Sequence, residues 1–76
     1  HNILLAPDYE QRVKDVEVIY VTWSEAVAFD LIKKYNINYI YFSDKTKDKY
    51  AIREILYIKD ERCFEKERET IYKVVC

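Results

Sequence analysis

The sequence predicts a small α/β domain of two or three layers, in the order β-α-β-α-β-α-β-β, with a mostly parallel sheet and an antiparallel hairpin at its C-terminal end. Three observations carry that expectation. Short β-branched or aromatic runs alternate with segments whose apolar residues recur at intervals of three and four, the pattern of strands joined by crossover helices. The last two strand-like runs have too few residues between them for a helix, so they can only reverse directly. A chain of 76 residues that is 50% hydrophobic and 36% charged can build one modest core, and belongs with compact domains rather than disordered segments.

The elements follow in order. Asn2-Ile3-Leu4-Leu5-Ala6, closed by Pro7-Asp8, fits a buried first strand, because Pro7 cannot continue a hydrogen-bonded ladder. From Tyr9 to Val16, the residues Tyr9, Val13 and Val16 suit two amphipathic helical turns. Val18-Ile19-Tyr20-Val21 is a continuous β-branched and aromatic run, the look of a strand covered on both faces. Thr22 and Glu25 form a capping-box pattern that starts a helix. Val27, Ala28, Leu31, Ile32 and Tyr35 supply its buried face, Lys33 and Lys34 suit its last turn, and Asn36 takes the left-handed stop that glycine would normally fill.

Ile37 to Phe42 reads as a third strand, with Tyr39 and Tyr41 on one face and Ile40 and Phe42 on the other. The polar stretch Ser43–Lys49 is then a loop able to cap a helix carried by Ala51, Ile52, Ile55 and Leu56, ending near Tyr57 or Ile58. Cys63 to Arg68 and Thr70 to Cys76 complete the hairpin. The first three strands are expected to be mutually parallel, with Val27 and Leu31 facing the core.

Composition excludes several kinds of chemistry. The chain contains no glycine, so neither a dinucleotide-binding turn nor a phosphate-binding P-loop can form. Thirteen Lys and Arg against fourteen Asp and Glu give a formal net charge of -1. The two signs are interspersed, a poor match for a polyanion, and no nucleic-acid partner is expected. The one histidine, His1, is terminal, and two cysteines are too few for a structural zinc site. No catalytic, cofactor-binding or metal-ligating residue is therefore assigned, and no cofactor is expected. The chain has no methionine and opens His1-Asn2, which leads us to expect a single domain, residues 1–76, excised from a longer chain.

Two features remain. Cys63 and Cys76 are either two buried free thiols or one disulfide. A two-residue turn at Arg68-Glu69 sets Cys63 opposite Val74 with Cys76 as its diagonal neighbour, and a four-residue loop sets the two cysteines directly opposite. Either register brings both to one face within bridging reach. Eight tyrosines, three phenylalanines and Trp23 raise the question of a stacking ligand. Tyr20, Tyr39, Tyr41 and Tyr72 fall in expected strands and Tyr35 on a buried helix face, where tyrosine packs. Trp23 and Tyr9 are the two that packing explains least, and so are the ligand candidates.

A helix ending in KKYNINYIYFS (residues 33–43), then a helical spacer, then RCFEKERETIYKVVC (residues 62–76) resembles the soluble C-terminal, extracytoplasmic region of archaeal polytopic membrane proteins of the glycosyltransferase-like and oligosaccharyltransferase-like kind. The resemblance covers Trp23 to Cys76. Where those regions have a glycine after the KYN-x-x-YI segment this chain has Phe42-Ser43, and Trp23 is followed by Ser24-Glu25-Ala26 rather than by the aspartate of the tryptophan-aspartate signature. The resemblance implies a non-catalytic domain on the extracytoplasmic face of a membrane, partnered by the membrane-embedded part of its own parent chain. It also implies a compartment in which Cys63 and Cys76 oxidise. Two readings of other classes stand beside it: a cytosolic α/β ligand-sensing or protein-interaction domain with reduced cysteines, and a small carbohydrate-binding module using Trp23 and Tyr9.

Overall fold

A computed structural model of the chain describes residues 7–76, with side chains from Tyr9 onward. Helix α1 (Pro7–Val21) and helix α2 (Glu25–Lys34) lead into strand β1 (Tyr39–Tyr41) and helix α3 (Asp44–Tyr50). A 3-10 turn (Leu56–Lys59) and strands β2 (Phe64–Arg68) and β3 (Ile71–Val74) follow. The three strands form one antiparallel sheet in the order β1-β3-β2. The expected alternation of parallel strands and crossover helices is therefore overturned: the fold is a helical pair and an antiparallel sheet closing on one core. The expected first strand, residues 2–6, lies outside the described residues.

The expected second strand is the last turn of α1. Val18 to Val21 have β propensity, but propensity amounts to a few tenths of a kcal/mol per residue and yields to tertiary packing. Here Ile19 enters the core, 3% exposed, with Ala28 and Ile32 of α2. The Tyr20 hydroxyl donates to the Tyr41 carbonyl at 2.6 Å, and its ring stacks on Tyr50 with centroids 4.9 Å apart. The buried Tyr57 hydroxyl donates to the carbonyl of Ile19, one of the last four of α1 and so without a partner inside the helix. A strand at these positions would lose all of these contacts. Pro7 opens the helix instead of ending a strand, since its fixed φ suits a first helical turn.

Helix α2 starts later than the capping-box pattern suggests. Ser24 is the N-cap, its hydroxyl accepting from the Val27 amide at 3.2 Å, while the Thr22 hydroxyl accepts from the Ser24 amide at 3.1 Å. The helix stops as expected at Asn36, which has φ 53°. The Ile37 amide bonds back to Ile32 and the Asn36 amide to Lys33, the paired bonds of a Schellman cap. The core face of α2 differs from the expected one: Val27 is 43% exposed and Leu31 half-buried, while Ala28 and Ile32 hold the core.

Helix α3 is the polar stretch expected to be a loop. The Ser43 and Thr46 side chains cap each other's backbone, Asp44 sits in the first turn, and Lys47 and Lys49 in the last, each suited to the helix dipole. Ala51 ends it with φ 55°, and Ile52 bonds back to Lys47, a second Schellman cap. An alanine there costs roughly 1 kcal/mol relative to a relaxed backbone. Ala51, Ile52, Ile55 and Leu56, expected on one helical face, are instead non-helical apart from Leu56, which opens the 3-10 turn; Ile55 is fully buried and Leu56 is 45% exposed.

Strand β1 keeps the alternation read from sequence, with Ile40 buried and Tyr39 and Tyr41 outward. Those two tyrosines are 47% and 61% exposed, so they are surface rather than packing residues, and the tyrosine of the core is Tyr57. The core is Ile19, Ala28, Ile32, Ile40, Ile55, Tyr57 and Phe64. Phe64 lies at its centre, 5.3 Å from both the Phe29 and Tyr57 rings.

Candidate functional site

The C-terminal hairpin is present as expected, but in a different register. Its two-residue turn is Glu69–Thr70, joining Arg68 to Ile71, and a bulge at Glu67 shifts the ladder so that Lys66 pairs with Tyr72 and Phe64 with Val74. Cys63 then stands opposite Val75, whose amide donates to the Cys63 carbonyl at 2.8 Å. In a regular ladder that register would send Cys63 and Cys76 to opposite faces. Both lie just beyond the paired strands, where the chain is free of the pleat, and their sulfurs are at bonding distance with Cα atoms 4.5 Å apart. The pair expected from the sequence is therefore a disulfide in the structure, reached by another geometry.

The disulfide borders a carboxyl pair that sequence reasoning did not single out. Asp60 follows the 3-10 turn, and its carboxylate accepts from the Arg62 side chain and from the Arg62 amide at 3.1 Å. Its carbonyl accepts from the amides of Cys63 and Phe64, each at 3.0 Å. Glu25, released from the capping role by the later start of α2, turns its half-buried side chain toward this turn. Oxygens of Glu25 and Asp60 and the Cys63 sulfur all lie within 4.8 Å of one another. Glu25 Oε2 is enclosed and has no hydrogen-bond partner while both carboxyls are ionised. The hydrogen bond to Asp60, then burial, pushes the Glu25 carboxyl above its ordinary value. The Arg62 guanidinium, then Glu25, holds Asp60 below its own. The two shifts run apart, so that as pH falls Glu25 takes up a proton before Asp60 does. Because the Cys63 sulfur is bonded to Cys76 it has no thiolate to give a metal, and two carboxyls alone do not make a metal centre.

A second cluster ties α1 to α2. Asp15, 6% exposed, accepts from Gln11 at 2.9 Å, from Lys34 at 3.3 Å and from the Tyr35 hydroxyl. Hydrogen bonds from Tyr35 and then Gln11 hold its carboxyl below the ordinary value. Each of its two oxygens faces a donor, which favours the charged form of a buried carboxylate. A depressed value means that the stabilisation is complete above the unfolded carboxylate range and is lost as pH falls through the folded value. Thermal midpoints between about pH 5 and about pH 2 should fall in the native protein. Asp15→Asn should start lower at neutral pH and fall less over that interval. Parallel curves for the two proteins would remove Asp15 from the account.

The two ligand candidates are not brought together. Tyr9 is near the start of α1 and Trp23 just beyond its end, with about 18 Å of helical rise between Tyr9 and the last residue of the helix. Trp23 is 85% exposed and lines none of the described hollows. Tyr9 lines an open groove of about 270 Å³ with Arg12, Val13, Val16, Lys49 and Tyr50. Tyr9 and Val13, at 54% and 52%, form an apolar strip along α1 that the other described residues leave open. No helix among the described residues is long and apolar enough to cross a membrane. No family model matches the chain, and neither a curated protein nor a solved structure does.

Proposed function

We propose that the chain is a non-catalytic interaction domain that works on the extracytoplasmic face of a membrane, as part of a multi-span protein of the glycosyltransferase-like kind whose membrane-embedded portion is its partner. The observation that carries this reading is the Cys63–Cys76 pair at disulfide distance, a bond that persists where thiols oxidise and is rare in a reducing cytosol. The segments that carry the resemblance, Lys33–Ser43 and Arg62–Cys76, fall on β1 with its flanks and on the hairpin, which is consistent with that reading. The exposed Tyr9, Val13 and Trp23 favour an interaction role, because apolar surface of this kind marks contact sites.

The test uses the full chain in its native membrane. Maleimide labelling before and after reduction should find both thiols protected until reductant is added, and the reading frame that contains this domain should encode several apolar spans of membrane length. Both thiols free, or a frame without such spans, would replace this reading with a cytosolic protein-interaction domain.

A further inference from the structure

The two sulfurs of the disulfide have unlike surroundings. Cys76 is exposed, while Cys63 is half-buried against the Glu25–Asp60 pair. A thiolate arriving from solvent therefore reaches Cys76 first, and the sulfur displaced is that of Cys63. Burial disfavours a thiolate at Cys63, and a poor leaving thiolate slows exchange. Of the two carboxyls beside it among the described residues, the one placed to relieve that charge is Glu25, whose enclosed oxygen otherwise has no partner. We propose that Glu25 is a built-in proton donor for opening the Cys63–Cys76 bond.

The step balances with a dithiol as reductant. Its thiolate attacks Cys76 Sγ, the S–S bond breaks, and Cys63 leaves with the electron pair and takes the Glu25 proton to become a thiol. The second thiolate of the reductant then displaces Cys76, so the dithiol is oxidised and both cysteines are reduced. Glu25 is left as a carboxylate against that of Asp60, with Arg62 the charged group that offsets them. Glu25 must then recover a proton from solvent or draw away from the turn, so reduction of the bond is tied to proton uptake. This coupling does not depend on the compartment in which the domain works.

The test follows reduction of the folded chain by a phosphine, which attacks without a thiolate of its own, read as alkylated mass against time from about pH 7 to about pH 4.5. Rates are divided by those of the peptide of residues 63–76 closed by the same disulfide, which cancels the phosphine's own titration. The native ratio should rise at least about tenfold toward the acid end, part of the roughly hundredfold or more that a positioned general acid contributes when fully protonated. Glu25→Gln should give a flat ratio, and Asp60→Asn, which removes the negative charge that favours the proton on Glu25, should move the rise to lower pH. A native ratio that is flat, or a rise that survives Glu25→Gln, overturns the proposal. Should Glu25→Gln lose the native circular dichroism, Asp60→Asn decides, and a profile unchanged from native overturns it.

Discussion

Phe64→Ala should destabilise the domain by about 3–5 kcal/mol, the range for removing a buried aromatic ring. Phe64 is 3% exposed and packs on Phe29 of α2 and Tyr57 of the 3-10 turn while belonging to β2. Its ring therefore joins three elements, and Ile55, Ile40 and Ile32 around it cannot move into the vacated volume without breaking their own elements. A 76-residue domain has roughly 4–11 kcal/mol in total on the per-residue range, so the variant should be largely unfolded near 50 °C and unfold at much lower urea. Phe64→Leu keeps most of the volume and should cost about 1.5 kcal/mol or less. Equilibrium urea unfolding of the three proteins decides the matter. A loss below about 1 kcal/mol for the alanine variant would mean that the ring is not central to this core.

Replacing both cysteines, Cys63→Ala with Cys76→Ala, should cost about 3 kcal/mol on the chain-entropy account of a short closed loop; the two residues are 13 positions apart. The loop encloses β2 and β3, so the loss appears as a wider unfolded ensemble and not as a missing native contact. The Val75 amide to Cys63 carbonyl bond and the β2–β3 ladder use backbone groups and should survive. Far-ultraviolet circular dichroism should thus be unchanged at low temperature while the urea midpoint falls. Adding reductant should lower the midpoint of the native protein to that of the variant and leave the variant unmoved. Equal midpoints for the oxidised native protein and the variant would show that the bond contributes nothing. The losses from this pair and from Phe64→Ala should not add, since Phe64 adjoins Cys63.

The carboxyl pair shows why part of the site was hidden in the sequence. Glu25 and Asp60 are 35 positions apart, and Glu25 has a sufficient local reading as the end of a capping box, while nothing local singles out Asp60. Ser24 taking the N-cap, two positions after Thr22, freed the Glu25 side chain to reach the turn before β2. A choice between two hydroxyl caps of similar strength is decided by packing, because each satisfies an amide two or three residues on at comparable gain. The cysteine pair, by contrast, was legible, since any tight reversal near residue 69 brings positions 63 and 76 close. Its register was not, because the bulge at Glu67 has no marker such as glycine.

The sequence by itself determined those elements whose signals are local and unopposed. These are the body of α2 with its stop at Asn36, the alternation that sets Ile40 on the face opposite Tyr39 and Tyr41, the hairpin, and the cysteine pair. Tertiary structure alone decided the rest. A four-residue run such as Val18–Val21 is too short for its periodicity to separate strand from helix. It becomes helix because Ile19 and Tyr20 meet Ala28, Ile32, Tyr50 and Tyr57 only in that form. Without a strand there, the β-α-β argument for a parallel sheet has no second strand, and β1 pairs with β3, which the hairpin holds within reach. Strand direction follows from which elements are neighbours, and that depends on contacts between residues far apart in the chain.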